Sequence, residues 1–304
     1  MKKILGINIS HNCSFAFFKN GILKEYYEED RFNKIKRFEP PKPFIKKPYD
    51  YKVLKKFKNI KFDAVIIASY CREDFLIDKA YVDNILRQVK YKQAKFFYRE
   101  HHKFHAVSGF YFSKFTKALC IVMDGGGERI IENYPEFQTV ESIWEIDNKK
   151  IKTYYKHLSN KKTEFFDNPR YREKNIKKEF DVKVSNKLVA GKKYTNYLFK
   201  AGFKPGEEGQ LMGAAAYNDG LNKKILNIAK KAQHENLKES IKLIKKTMTY
   251  SDCKNIILSG GCYLNCSNNF KLVKHFPNLN FFVDPIPYDG GTAVGAAYFY
   301  ENYL

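Results

Sequence analysis

The sequence predicts an α/β fold in which one order of strands and helices occurs twice. A chain of 304 residues exceeds the usual size of a single domain, and a hydrophobic content of 44% is enough to build two cores. Three strands, a helix, a strand, a helix and a strand are predicted first, and the same order then begins again. We therefore expect two halves, residues 1–116 and 117–304, with the active-site cleft between them.

The first half opens with three strands, because Asn20-Gly21 between two apolar runs is a strong signal for a two-residue hairpin. The run FDAVIIAS is typical of a buried strand, and apolar residues at helical spacing follow it. The predicted strands of this half cover 3–9, 13–19, 22–28, 62–69 and 95–98, and its helices cover 30–38, 75–90 and 101–115.

The second half repeats these elements around an irregular segment. Its predicted strands cover 118–123, 128–132, 140–147, 255–258 and 281–283, and its helices cover 188–203, 221–249, 264–274 and residues from 292 onward. Residues 149–193 are expected to form a basic insertion. Lysine and arginine alternate there with Tyr154, Tyr155, Phe165, Phe166 and Tyr171, which suits contact with phosphates and bases. A solvated segment without a ligand is the alternative.

The formal net charge of +22 is extreme for this length and would attract polyanions. Nucleic acid is therefore a candidate partner. Compositional drift in an AT-rich genome is the alternative, because only eight of the 55 basic residues are arginine. Drift explains the abundance of lysine but not the shortage of carboxylates.

The expected location is the cytoplasm of a bacterial or virus-infected cell, with no membrane partner. No apolar run approaches the roughly 18 to 20 residues that span a bilayer, and residues 1–9 resemble a strand rather than a signal peptide. The six cysteines are scattered, so we expect reduced thiols.

The sequence His101-His102-Lys103-Phe104-His105 opens a predicted helix. Spacing of four residues places the imidazoles of His101 and His105 on one face, one turn apart, where they can chelate a single metal ion. A pair of this kind also occurs by chance on helix surfaces. Three of the seven histidines within five residues favour the metal site.

Asp124 follows a predicted strand and precedes Gly125, Gly126 and Gly127. Glycine lets backbone N–H groups approach a phosphate, and the carboxylate can hold its metal. Capping of a turn is the alternative use of an Asp-Gly pair.

Two further glycine turns precede predicted helices. Gly260-Gly261 leads through Asn265 into one helix, in an arrangement that suits a nucleotide and is also common in structural turns. Asp289 stands before Gly290-Gly291 and supplies another carboxylate.

With these segments in view, the chain resembles the O-carbamoyltransferases typified by the nodulation, tobramycin and cephamycin enzymes, whose catalytic domain is related to the tRNA threonylcarbamoyl-adenosine synthase. The motifs that carry the resemblance run in order along nearly the whole chain: GINISHNCSFAFFKNGIL, YYEEDRFNKIKRF, HHKFHAVSGFYFS, IVMDGGGE, GEEGQLMGAAAY, LSGGCYLNCSNN and YDGGTAVGAA.

The resemblance implies a duplicated fold like that of actin and the sugar kinases, with ribonuclease H-like halves that bind carbamoyl-adenylate. It implies a divalent metal, usually iron, with Zn²⁺ or Mn²⁺ as alternatives. Two imidazoles and two carboxylates would form a neutral site for it. The implied ligands are His101, His105, Asp124 and Asp289.

The resemblance also implies roles for the remaining residues. The phosphate of the adenylate would contact Gly125 to Gly127, and the nucleoside would lie beside Gly260, Gly261 and Asn265. His11 would act on the carbamoyl group or the acceptor hydroxyl, and His102 would orient a ligand. Arg31 and Lys36 would neutralise phosphate charge, or they are simply solvated basic side chains.

The predicted activity is ATP-dependent transfer of a carbamoyl group from carbamoyl phosphate to a hydroxyl. Full-length relatives have a second domain that makes carbamoyl-adenylate, so a separate adenylate-forming protein is one expectation, and synthesis within this chain is another. The charge favours DNA carrying 5-hydroxymethylcytosine as the acceptor. The alternatives are a small sugar or antibiotic acceptor and a non-catalytic nucleotide-binding subunit.

Overall fold

The computed structural model describes residues 1–40, 48–69, 75–130, 137–160, 174–185, 187–216 and 222–304. Packing divides the chain into two compact units. The first comprises Met1–Lys114, Asn148–Lys150 and Asp284–Leu304, and the second comprises Phe115–Asp147 and Ile151–Val283. Among the helices described, none combines the length and the apolar composition that a bilayer crossing requires.

The first unit contains a five-stranded sheet in the order β3-β2-β1-β4-β5. The three leading strands form the predicted antiparallel meander, and the last two run parallel to β1. The strands are β1 (Lys3–Asn8), β2 (Ser14–Lys19), β3 (Ile22–Glu28), β4 (Lys61–Ala68) and β5 (Lys90–Phe97). The helices, labelled in chain order, are α1 (Asp30–Asn33), α2 (Phe75–Leu86), α3 (His101–Ser113) and α8 (Thr292–Tyr303).

The two faces of β1 are buried in different ways. Leu5 and Ile7 enter a hydrophobic core, whereas Gly6 points to the opposite face and meets α8. A Cβ atom at Gly6 would overlap the carbonyl oxygen of Ala293, so glycine allows α8 to lie directly on the sheet. This close approach fixes the amino-terminal end of α8 beside the carboxyl end of β1.

The second unit contains a seven-stranded sheet in the order β12-β11-β6-β7-β8-β10-β9. Its strands are β6 (Lys117–Met123), β7 (Phe137–Asp147), β8 (Ile151–Asn160), β9 (Lys174–Lys177), β10 (Asp181–Ser185), β11 (Asn255–Ser259) and β12 (Asn280–Val283). Two antiparallel pairs, β6 with β7 and β7 with β8, are followed by two parallel pairs, β6 with β11 and β11 with β12. The first unit has the same pattern, which confirms the predicted duplication.

Four helices belong to the second unit: α4 (Ala190–Lys200), α5 (Glu208–Ala214), α6 (Lys223–Thr247) and α7 (Cys266–His275). Leu243 and Ile244 of α6 pack into the core beside the sheet. The side chain of Asn222 caps the start of α6 by accepting a hydrogen bond from the N–H of Lys224 at 2.8 Å.

The structure corrects two expectations about secondary structure. The segment 149–193, expected to be irregular, contains β8, β9 and β10 in its described part. Residues 128–130 are not a strand, and 131–136 lie outside the described residues, as do Phe165, Phe166 and Tyr171.

The strand β8 was not predicted because its sequence is polar, although several of its side chains are buried. Lys156 and His157 are buried there because Glu128 and Glu141 pair with them, and these partners cannot be foreseen from local sequence. The carboxyl-terminal residues Asp284–Leu304 pack with the first unit. The predicted halves 1–116 and 117–304 describe a repeat in the sequence, whereas the two compact units describe packing. The boundaries of the halves therefore stay predictions.

Candidate functional site

The first two turns of α3 carry two histidines whose side chains converge. The Nε2 atoms of His101 and His105 lie 3.1 Å apart, and the two residues are 2% and 0% exposed. Spacing of four residues places them on one helix face, as the sequence predicts. Two buried imidazoles with their nitrogens this close form half of a metal-binding donor set.

Asp289 brings a carboxylate to these imidazoles within the first unit. Its Oδ1 atom lies 3.6 Å from Nε2 of His101 and 3.9 Å from Nε2 of His105. The residue opens a short turn before α8, and the Thr292 hydroxyl donates to its carbonyl oxygen at 2.7 Å. A Cβ atom at Gly291 would overlap the carbonyl oxygen of Ile286, so glycine permits this turn.

The three donor atoms fit a divalent transition metal. Ligand atoms at about 2.1 Å from one ion are about 3.0 to 3.4 Å from each other at tetrahedral or octahedral angles. The observed separations of 3.1, 3.6 and 3.9 Å are near this range. Imidazole with carboxylate suits iron, zinc and manganese. The buried cluster is therefore suited to hold a metal.

The loop between β1 and β2 places two more side chains on Asp289. Nδ1 of His11 lies 3.0 Å from Oδ2, and the Ser10 hydroxyl donates to the same oxygen at 2.8 Å. Asn8 shapes the loop by accepting from the N–H of Ser10 at 3.0 Å and donating to the carbonyl of Asn12 at 3.2 Å. The His11 side chain is 34% exposed, so it remains accessible to a substrate.

The sequence did not single out Ser10, although it directly precedes His11. Its hydrogen bond to Asp289 joins residues 279 positions apart, and serine in a loop has many uses. The one available signal was its place in the motif that contains His11.

The other predicted residues of the first unit lie at different depths. His102 is buried, with its ring centroid 6.0 Å from that of His101 and 6.4 Å from that of His105. Arg31 is exposed and lies 3.6 Å from the carboxylate of Asp30. Lys36 is exposed in the turn that follows α1. The structure thus places Arg31 and Lys36 at the surface, outside the buried donor cluster.

Tyr288 links this surface to the turn that carries Asp289. Burial and a hydrogen bond to Glu28 raise the pKa of its hydroxyl, and the charge of Arg31 opposes the rise. The Tyr26 hydroxyl also donates to Glu28, at 3.0 Å. The charge of Arg31 therefore acts on the hydroxyl of Tyr288, which directly precedes Asp289.

In the second unit, the predicted glycine segments meet at one sheet edge. β6 and β11 are parallel neighbours, so Asp124 and Gly260 follow adjacent strand ends. The N–H of Gly261 donates to Oδ1 of Asp124 at 3.2 Å. Gly260 has a φ of +93°, and a Cβ atom there would overlap the carbonyl oxygen of Met123. Only glycine fits this crossing.

Several backbone amides at this edge already have partners. The N–H of Gly127 donates to the carbonyl of Thr139 at 2.7 Å, which leaves Gly125 and Gly126 as the amides predicted to contact a phosphate. Gly191, at the start of α4, donates to the carbonyl of Asp124 at 3.2 Å. A Cβ atom at Gly191 would lie 2.6 Å from the nitrogen of Gly125, so this glycine, which the sequence did not single out, brings α4 against the turn.

Asn265 has a structural role at the same edge. Its side-chain oxygen accepts from the N–H of Asn268 at 3.2 Å and so caps α7, and its amide nitrogen donates to Gln233. These contacts occupy the side chain, which is 2% exposed. Contact with a nucleoside stays a prediction for this residue.

Comparison with known proteins gives matches across the whole chain. The uncharacterized protein sll1178 of Synechocystis sp. is 24% identical over 347 residues, which cover 98% of this chain and 56% of that protein. The chain therefore spans about half the length of this curated relative.

Solved structures show the fold. A ROK family protein from Streptococcus pneumoniae in complex with sucrose has a TM-score of 0.53 at 12% identity, with 98% of each chain covered. The ROK hexokinase from Thermus thermophilus gives 0.52 at 9%, again with 98% of each covered. Full-length HypF, solved in a phosphate- and nucleotide-bound form, gives 0.55 at 11%, with 98% of this chain and 55% of HypF covered.

These similarities confirm the predicted duplicated fold of the actin and sugar-kinase type. Residues 42–298, well over half of the sequence, match the family described as Carbamoyltransferase N-terminus. The chain belongs to this carbamoyltransferase family.

Proposed function

We propose that this chain catalyses transfer of a carbamoyl group to a hydroxyl, from carbamoyl-adenylate formed from ATP and carbamoyl phosphate. One observation carries the proposal: the convergence of His101, His105 and Asp289 in a buried cluster next to an accessible His11. Family membership gives this arrangement its chemical context.

The cluster is proposed to hold Fe²⁺, with Zn²⁺ or Mn²⁺ as alternatives. Asp124 stays the predicted fourth ligand, on the basis of its place before the three glycines and of the family resemblance. A bound ion would supply positive charge to a phosphate oxygen of the substrate. His102, buried near both imidazoles, is proposed to orient them.

His11 is proposed to act as the general base. If its Nδ1–H donates to Oδ2 of Asp289 across the observed 3.0 Å, the neutral ring has its lone pair on Nε2. That nitrogen can then take the proton from an acceptor hydroxyl as the hydroxyl oxygen attacks the carbamoyl carbon, and the bond from this carbon to the phosphate oxygen breaks to release AMP. Asp289 would hold the imidazole in this tautomer.

The nucleotide is proposed to bind at the glycine edge of the second unit. The amides of Gly125 and Gly126 would contact its phosphate, and Gly260 and Gly261 would allow the ribose and adenine to approach the backbone closely. Arg31 and Lys36 are proposed to attract and neutralise the leaving phosphate, which their exposure permits.

The proposed acceptor is DNA that carries a hydroxymethylated base such as 5-hydroxymethylcytosine. The net charge of +22 supports this choice, because a small neutral sugar gains nothing from a polycationic surface. A separate protein is proposed to form the adenylate.

The test incubates the purified chain with Fe²⁺, carbamoyl phosphate, ATP and hydroxymethylated DNA, and in a second reaction with chemically prepared carbamoyl-adenylate. Mass spectrometry of the nucleosides should detect carbamoylated base with the wild type and with the control His275→Ala, which removes an exposed histidine of α7. His101→Ala should yield none. Product on sugars alone would refute the DNA acceptor, and absence of product on every hydroxyl tested would refute carbamoyl transfer.

A further inference from the structure

The outer face of α6 has a charge pattern that the site above does not use. The helix has 25 residues, which corresponds to a length of about 37 Å. Its inner face is buried through small and apolar side chains such as Ala229, Ala232 and Ile244. Packing into the core therefore accounts for the residues on the inner face of α6. It does not account for the residues on the exposed face.

The exposed side of α6 is almost uniformly cationic. Nine of its side chains are exposed: Lys223, Lys224, Asn227, Lys230, Lys231, His234, Lys238, Lys242 and Lys245. No exposed residue of this helix, all of which lies in the described part of the chain, is a carboxylate. Seven lysines and no carboxylate among nine exposed side chains are a stronger bias than the overall ratio of 55 basic to 33 acidic residues.

The two carboxylates of α6 pair with a lysine of α4 at the border of this face. Glu235 lies 2.6 Å and Glu239 lies 3.7 Å from Nζ of Lys193 on α4. The hydrogen bond from Lys193 lowers the pKa of Glu235, so this carboxylate is charged and committed to α4. Glu235 stands three residues before Lys238, whose charge also lowers its pKa, so this carboxylate borders the cationic face and is engaged by Lys193.

Helix stability does not account for the lysines at the start of α6. The first turn of a helix carries partial positive charge, so Lys223 and Lys224 are disfavoured there, whereas Lys245 in the last turn is favoured. A cationic amino-terminal turn that opposes the helix dipole suggests selection for a ligand.

Four of the lysines form a regular line. Lys224, Lys231, Lys238 and Lys245 are spaced by seven residues, or about 10.5 Å along the axis. A repeat of seven drifts only about 20° around the helix per step, so the line stays on one side. Evenly spaced cations over a length of about 30 Å match a long, uniformly charged polyanion.

We propose that this lysine line of α6 binds the phosphate backbone of a nucleic acid. The inference rests on the proposed DNA acceptor and assigns a docking surface to it. A lipid surface is disfavoured because binding to a bilayer requires exposed apolar side chains, and the nine exposed side chains of α6 are polar. The contacts would be independent of base sequence and would position the polymer.

The test measures binding of a labelled DNA duplex of about 20 base pairs at several salt concentrations, without carbamoyl phosphate or ATP. The variant K224Q/K231Q/K238Q/K245Q removes the four positive charges of the line and keeps good helix formers. Its matched control, K24Q/K58Q/K61Q/K90Q, removes four exposed lysines of the first unit. Circular dichroism verifies that both variants are folded.

We expect the α6 variant to bind at least about tenfold more weakly at low salt, and the slope of log K against log salt to fall by up to about 3.6, or about 0.9 per lost phosphate contact. The control should bind within about twofold of wild type. Equal weakening in both variants, or an unchanged slope in the α6 variant, would overturn the proposal. The proposal would also be overturned if the α6 variant lost binding to anionic vesicles and still bound DNA as tightly as wild type. The DNA-binding measurement does not depend on catalysis. It therefore tests the lysine line even if the chain transfers no carbamoyl group.

Discussion

His11 and His101 approach opposite oxygens of one carboxylate. Nδ1 of His11 lies 3.0 Å from Oδ2 of Asp289, and Nε2 of His101 lies 3.6 Å from Oδ1. One oxygen therefore faces the donor cluster, and the other orients a partly exposed imidazole. Because the two oxygens of Asp289 have different partners, mutation should be able to change proton transfer without changing ion binding.

His11→Ala should lower kcat for carbamoyl transfer by about 10² to 10⁴-fold, because general base catalysis contributes about this much. Ion binding should persist, because Oδ1 of Asp289 and both imidazoles are unchanged. Ser10→Ala is the matched control, since it removes the other hydrogen bond to Oδ2 without removing a base. An undiminished kcat in His11→Ala would eliminate the proposed role.

Gly295→Ala should destabilise the first unit by about 1 to 3 kcal/mol, because it overfills a tight crossing of α8 and α3. A Cβ atom at Gly295 would overlap the carbonyl oxygen of Phe104. Gly209→Ala on α5 is the control, since nothing lies within 4 Å of its Cβ position, and it should be neutral or stabilising. Urea unfolding measures both changes. Equal stability of the two variants would disprove the tight crossing.

Lys156→Met should cost about 3 to 5 kcal/mol of unfolding free energy, because it leaves the charge of Glu128 buried without its cation. Nζ of Lys156 lies 2.5 Å from Oε1 of Glu128, and both residues are buried. The double variant K156M/E128L should cost less than the single one. Lys193→Met, which breaks a partly exposed pair with Glu235, should change stability by about 1 kcal/mol or less. A double variant less stable than K156M would refute the buried pair.

The cysteines should differ sharply in reactivity. Burial and the charge of Glu29 raise the pKa of the Cys13 thiol, and burial and the charge of Asp124 raise that of Cys262, so both stay protonated and weakly nucleophilic at about pH 8. Cys266 is exposed and should be alkylated by iodoacetamide before either of them. Peptide mass spectrometry should find Cys13 and Cys262 modified only after unfolding. Their rapid modification in the native protein would contradict the described packing.

Local sequence was sufficient to predict much of the donor cluster. Spacing of four residues on a helix aligns His101 with His105 without reference to the rest of the fold, and a carboxylate before two glycines marked Asp289. The contribution of Ser10 was not predictable, because its partner is 279 residues away and no local rule selects one loop serine over another.

The repeated order of strands was predictable because hydrophobic runs and turn signals are local. The sheet content of 149–193 was not, because β8 presents buried Lys156 and His157. A polar residue is recognised as buried only when its partner is known. Those partners, Glu128 and Glu141, come from the preceding segment and from β7.

Metal titration of the purified chain tests whether the buried cluster is a metal site. About one Fe²⁺ or Zn²⁺ ion should bind per chain and raise the midpoint of thermal unfolding. Binding should be at least about tenfold weaker after His105→Ala or Asp289→Asn and unchanged after His275→Ala. Binding by His105→Ala and Asp289→Asn as tight as that of the wild type would contradict the metal site.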